Sequence, residues 1–336
     1  STYIGMWTDF DIGNSSDELT GSDVERSSFY AYNGDSIDEN ANGVLGYGAY
    51  PPAQGVVFLK GAKQDDDGID NAIGINPNET INGLGFEDGI EDNENWGMEY
   101  FLNHYLGGSV IGDPISSLHY YNYLSGKWKD NSQMVFDGTG HFSGGGTIAA
   151  KYLFPGHTDP LNYGTGGVTP NPSLWTEATV GNPVGDRRGI GSTGPFTFEP
   201  DSSISITLAY VFGRDYQNIG PNAGIVVMQE RIDSIRSYYL TDFTSVCGGA
   251  LSVSENELEN NILIYPNPFN NAFTINYLLE SKTALLAVYN VIGKKIQTKT
   301  IHQNSTVIDL SNQPNGFYFV TITDGDKKLS QKIVKQ

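Results

Sequence analysis

Carboxylates are the side chains in this sequence with the most chemistry to offer. Residues 65–71 read Asp65-Asp66-Asp67-Gly68-Ile69-Asp70-Asn71, and residues 87–94 read Glu87-Asp88-Gly89-Ile90-Glu91-Asp92-Asn93-Glu94. Like charges packed this densely repel one another unless water or a cation compensates them. Oxygen donors at alternate positions around a turn glycine suit Ca²⁺, which makes Asp65, Asp67, Asp70, Asp88 and Asp92 the candidate ligands. An EF-hand does not fit. With Gly68 as the sixth loop residue, the first is Lys63 and the twelfth is Gly74, where a bidentate Glu belongs. A solvated acidic loop and a catalytic carboxylate pair are the two competing readings.

Other chemistry finds little support. The sequence has no Gly-x-Ser-x-Gly elbow, His-Glu-x-x-His helix, phosphate-binding loop or Cys-x-x-Cys pair. His104, His119, His141 and His157 are scattered, as structural histidines are. The single cysteine, Cys247, has no partner for an internal disulfide and reads as a small buried residue. A non-enzymatic module is therefore expected. The alternatives are a carbohydrate-binding or adhesive module stacking sugars on Trp7, Trp96, Trp128 or Trp175, and a hydrolase with two carboxylates facing across a cleft.

Composition narrows the class. Residues 1–250 hold 11 Lys and Arg against 32 Asp and Glu, and residues 251–336 hold 8 against 7. So acidic a first part argues against nucleic-acid partners. The 41 glycines and 15 prolines suit short strands joined by turns and long loops. No apolar run approaches the ~20 residues that cross a bilayer. Because strand-like residues begin at Tyr3, the chain is expected to be a piece of a longer polypeptide.

The elements that must carry these residues are mainly β. Strands are expected at 3–7, 27–32, 55–59, 96–102, 147–154, 194–198 and 203–212, with Asn33-Gly34 as a turn and acidic loops between. Two helices are predicted. One is capped by Asp113, opens with Pro114, sets Ile115, Leu118 and Tyr121 on one face, and stops at Gly126. The other follows Pro221 and buries Ile225, Met228, Ile232, Ile235 and Tyr239, spaced 3, 4, 3, 4 as one helical face requires. Residues 1–250 thus read as a β-sandwich-like domain with long acidic loops and one or two helices. An acidic linker without aromatics follows at 251–261. Short alternating strands are then expected at 262–265, 272–278, 285–290, 294–300, 305–310, 316–323 and 328–335, a small antiparallel β-sandwich.

That last domain carries Tyr265-Pro266-Asn267-Pro268, Val288-Tyr289-Asn290 with Gly293, Asn315-Gly316-Phe317-Tyr318-Phe319-Val320, and Lys332-Ile333-Val334-Lys335 at its end. In this order and spacing, residues 262–336 resemble the type A C-terminal sorting domain of the type IX secretion system of Bacteroidetes. The resemblance implies an immunoglobulin-like sandwich and a secreted, outer-membrane cell-surface protein. It also implies docking on the translocon and on an outer-membrane β-barrel shuttle protein, then removal by a sortase that attaches the cargo to lipopolysaccharide. Pro266, Asn267, Pro268, Gly293, Gly316, Tyr318, Lys332, Val334 and Lys335 become the sorting residues. The short basic final strand is expected to be free for capture, by its carboxylate or by strand addition.

The segments Asp9-Phe10-Asp11-Ile12-Gly13, Ala31-Tyr32-Asn33-Gly34-Asp35, Asp67-Gly68-Ile69-Asp70-Asn71 and Gly194-Pro195-Phe196 resemble regions beside such sorting domains in large secreted surface proteins. Asp35-Ser36-Ile37 and Asp233-Ser234-Ile235 fit the O-glycosylation pattern of these bacteria, with Ser36 the candidate because Ser234 falls on a predicted helix.

Overall fold

Alternation along strand β3 (Ser28–Asn33) sets the layers of the first half of the molecule. Phe29 and Ala31 enter one core with Val56, Phe58, Phe101 and Ile190. Tyr30 and Tyr32 enter another with Val57, Met228 and Ile232. A strand buried on both faces must be sandwiched by other elements, and the computed structural model shows them. It describes residues 1–41, 43–241, 262–277, 283–291, 293–324 and 327–336. Cys247 and the expected linker at 251–261 lie outside the described residues.

The chain forms two compact units, Ser1–Val246 and Cys247–Gln336. In the first, β2 (Glu18–Asp23), β3, β4 (Ala53–Lys60) and β7 (Thr207–Gly213) make an antiparallel sheet in the order β2-β3-β4-β7. A second antiparallel sheet has the order β1-β6-β5, from β1 (Thr2–Asp9), β6 (Arg187–Phe196) and β5 (Tyr100–Tyr105). The two pack face to face through Phe29 and Phe101, whose rings stack 5.1 Å apart. Burying each such side chain stabilises the fold by about 1.5–3 kcal/mol. The glycines of β6 permit this approach, since a Cβ on Gly191 would lie 2.6 Å from the Phe29 ring. Helix α2 (Ala223–Leu240) covers the outer face of the four-stranded sheet, with Met228 and Ile232 buried and Ile225, Ile235 and Tyr239 packed beside them. The expected stripe is a core face.

Helix α1 (Ser117–Leu124) lies on the other sheet and departs from expectation. Its N-cap is Ser116, whose side chain accepts the His119 N–H at 3.2 Å. The Asp113 carboxylate is committed elsewhere, to the Gly107 N–H at 2.9 Å. Ile115, Leu118 and Tyr121 are exposed, and the buried face carries Asn122 and Tyr123 instead. Gly126, at φ +71°, does terminate the helix region.

Other differences have physical causes. Strand β2 was hidden by its charged ends, Glu18 and Asp23, which are buried but hydrogen-bonded. The central strand β6 begins at Arg187, in glycine-rich sequence that reads as loop. Residues 147–154 form only isolated bridges, Val135 with Ala149 and Phe101 with Tyr152, and the segment leaves the extended conformation at Phe154, whose φ is +54°. Asn33-Gly34 does not close a hairpin, since Gly34 N–H bonds Asp17 O and residues 34–52 intervene before β4.

The second unit is a seven-stranded antiparallel sandwich, immunoglobulin-like in its two facing sheets. β8 (Ile262–Tyr265), β9 (Ala272–Tyr277) and β12 (Ser305–Asp309) form one sheet in the order β12-β9-β8. β10 (Ala284–Asn290), β11 (Lys295–Ile301), β13 (Gly316–Asp324) and β14 (Lys327–Lys335) form the other, in the order β11-β10-β13-β14. Alternate residues Phe273, Ile275, Tyr277 and Tyr318, Val320, Ile322 meet in one core.

Candidate functional sites

The terminal strand β14 is an edge of its sheet, and its last residues are covered from outside. Asn267 accepts the Val334 N–H at 2.9 Å and donates to Lys332 O at 3.3 Å. Phe269 N–H bonds Val334 O, and Gln336 N–H bonds Phe269 O, both at 2.9 Å. Residues 266–269, with exposed Pro266 and Pro268, therefore clamp the strand from outside. This corrects the expectation of a tail open to strand addition. Lys335 is also removed from contact, being 7% exposed with its ammonium on Gln313 O at 2.6 Å. Tyr318 is buried and donates to Pro314 O at 2.6 Å. Gly293 (φ +75°) and Gly316 (φ +148°) supply backbone conformations that other residues resist. Tyr318 and Lys335 are thus engaged within the sandwich itself.

What the sandwich offers to a partner is a face. Cross-strand register sets Tyr289, Phe319 and Lys332 side by side, with Phe317 beside Val334 next along. Phe317 is 51% and Phe319 41% exposed. Lys332 Nζ sits 5.1 Å from the Phe317 ring centre, and Lys295 Nζ 5.9 Å from that of Tyr289. Adjacent exposed aromatics flanked by lysines are a marker of an interaction surface. Strand alternation turns these motif residues outward together, which the motif's letters alone do not show.

In the first unit the register aligns Trp7, Ile190 and Leu102 in one row and Asp9, Arg188 and His104 in the next. Above this face lies a cavity of about 570 Å³, bounded also by Asp113, Tyr120 and Leu124. Trp7 donates its indole N–H to His104 Nε2 at 3.2 Å. The imidazole proton is then on Nδ1, which faces Asp113 Oδ1 at 3.2 Å. His104 is 1% exposed, and burial lowers its pKa to about 4 despite the pull of Asp113. It is therefore neutral. Arg188 is held by Asp9 at 3.2 Å and Asp186 at 3.0 Å. Asp11 completes a carboxylate group with these two, one oxygen of each within 4.8 Å of the others. Burial raises the Asp9 pKa although Arg188 pulls it down.

The other tryptophans are structural. Trp96, Trp128 and Trp175 are buried, and their N–H groups bond Pro195 O, Gly140 O and Gly138 O. Trp7 is 47% exposed.

The acidic loops come together in an unexpected way. Asp92 accepts the N–H groups of Asp67 and Gly68, both at 2.8 Å, and Asp70 accepts those of Asp88 and Gly89 at 3.3 and 2.7 Å. Asp67 and Asp88 each accept from the isoleucine two residues on. The two Asp-Gly-Ile segments thus cap one another, and backbone N–H groups supply compensation for the clustered charge. The repeated Asp-Gly-Ile was the available signal. Asp65 stands apart, bonded to Thr197 N–H and Oγ1–H at 2.6 Å each. Ser36 is exposed in the bend after β3, whereas Ser234 lies on α2 with its hydroxyl on Glu230 O.

Buried acids away from the loops were not foreseen as a network. Glu177 takes Thr20 N–H and Oγ1–H at 2.7 and 3.0 Å, and Arg187 Nε–H at 2.8 Å. Arg187 also stacks on the Tyr105 ring at 4.2 Å. Glu99 takes Lys151 and Tyr163.

The second unit is thus a small antiparallel sandwich whose terminal strand is clamped at its end. Residues 263–336 match the family described as the secretion system C-terminal sorting domain. The chain is accordingly a type IX secretion cargo, a secreted, cell-surface protein, and among the described residues no helix is long and apolar enough to cross a membrane. No curated protein matches it. Among solved structures, it is similar to PorZ, an essential bacterial surface component of the type-IX secretion system of Porphyromonas gingivalis, at 14% identity over 25% of this chain and 12% of that one, with a TM-score of 0.20. It is also similar to the BSP domain of a biofilm-associated protein, at 10% identity over 96% of this chain and 52% of that one, with a TM-score of 0.21. Such low scores carry no argument about fold or function. The chain spans about an eighth and about half of the lengths of these two proteins.

Proposed function

We propose that the chain is exported by its second unit and displayed at the cell surface as a non-catalytic module. In this reading the export machinery engages the folded sandwich through Tyr289, Phe317, Phe319 and Lys332. The translocon, the β-barrel shuttle and the sortase that transfers the cargo to lipopolysaccharide act in turn on this unit. The observation that carries the reading is the sorting-domain match together with an aromatic face left outside its core. A non-catalytic first unit is supported by the chemistry of its cavity. His104 is neutral, its Nε2 spent on the Trp7 indole N–H, and the lining of this cavity contains one carboxylate, Asp113, where hydrolysis of a glycoside needs two. The test is removal of residues 262–336 in the native host. The truncated cargo is expected to accumulate in the periplasm, and undiminished surface display would refute the reading.

A further inference from the structure

We propose that the cavity over β1-β6-β5 binds one neutral sugar residue of a glycan, with Trp7 as the stacking platform and Asp113 and Arg188 as the hydroxyl partners. This goes beyond the export reading and does not depend on it.

Trp7 is the exposed tryptophan of the four, and its orientation is fixed. Its N–H is spent inward on buried, neutral His104, so the indole stands at the cavity rim without needing to be ordered on binding. Tyr120 on α1 offers a second exposed aromatic in the same lining. A cavity of about 570 Å³ is in the range of small-ligand sites.

The polar lining selects the ligand class. A carboxylate only accepts hydrogen bonds and a guanidinium only donates them. A sugar hydroxyl does both, so neighbouring hydroxyls can satisfy Asp113 and Arg188 together. An anionic ligand is opposed because Arg188 is already neutralised by Asp9 and Asp186, inside a domain with 32 acidic residues against 11 basic ones. A cation would be drawn by the same acidic excess and by the Trp7 face, so choline is the comparator that separates the two classes.

The experiment titrates the full chain with methyl glycosides of glucose, galactose, mannose and N-acetylglucosamine, with glucuronate and choline as charged comparators. A shift of tryptophan emission on titration reports Trp7, the indole of the four that lines the cavity, and calorimetry serves for the variants. At least one neutral glycoside is expected to give a saturable response at millimolar concentration, and the charged probes none. Trp7→Ala is expected to weaken binding at least about tenfold, the loss of a central aromatic anchor, while Trp7→Phe retains part of it. His104→Gln keeps an acceptor for the indole and is expected to keep binding. His104→Leu is expected to lose binding with an unchanged circular dichroism spectrum. The proposal is overturned if no neutral glycoside saturates, if only choline or glucuronate does, or if Trp7→Ala and Trp7→Phe bind as the parent does.

Discussion

The two units of this protein treat polar groups in opposite ways. The first draws charge inside. Glu18, Glu99, Glu177 and Arg187 are buried and hydrogen-bonded, Glu99 and Glu177 to elements distant in sequence. The second fills its interior mainly with alternating apolar residues, and its few buried charges include Asp324 beside the Tyr277 hydroxyl and Lys335 on the Gln313 carbonyl. A core built on networks is specific but costly to interrupt, because each buried partner left behind is uncompensated. A core built on alternation is robust, and it leaves the outward residues free to change with the partner.

Removing one member of a network should therefore hurt the first unit more than any surface change hurts the second. Glu177→Ala strands Arg187, the Thr20 N–H and Asn103. A loss of about 3–5 kcal/mol is expected, measured by urea unfolding with tryptophan emission, since all four tryptophans lie in the first unit. A loss under about 1 kcal/mol, the range of a surface pair, would dissolve the contrast.

An effect with the opposite sign is expected at Glu18. Burial raises its pKa from 4.5 to about 8, against the pull of the Ile12 N–H, and its Oε2 has no hydrogen-bond partner. Between those pH values the folded chain keeps a proton that the unfolded chain releases. This group's contribution to stability therefore falls as pH rises through that window, by at most about 1.4 kcal/mol per pH unit. Glu18→Gln should match the parent near pH 4.5 and become progressively more stable up to pH 8. A gain that does not grow with pH would show that Glu18 is ionised in the fold.

The same contrast explains what the sequence could reveal. In the second unit, alternation and turn residues predicted all seven strands to within a residue at each end, because a two-faced strand with an apolar inside obeys the rule that reads it. Helix α2 was legible for the same reason. In the first unit the rule failed where charge is interior. Glu18-Leu19-Thr20-Gly21-Ser22-Asp23 is a fully buried strand written in loop residues, and β6 carries glycines because Phe29 needs the space. The sorting motif was recognisable, but its letters divide between the Asn267 clamp, the Tyr318 core and the exposed Phe317, Phe319 and Lys332 only once the register is known. The cavity is built from β1, β5, β6 and α1, which no local pattern brings together. Asp67 and Asp92 pair through backbone N–H groups that composition does not show.

The central claim is that export reads the exposed face of a folded sandwich. The direct test is surface display, in the native host, of the chain carrying Phe317→Ser and Phe319→Ser together, with the melting of the purified variant measured in parallel. Both side chains point out of the core, so the sandwich is expected to melt within a few degrees of the parent while display falls at least about tenfold, as loss of paired aromatic anchors would cause. Full display from the double variant would contradict the account and return recognition to the backbone of the clamped terminal strand.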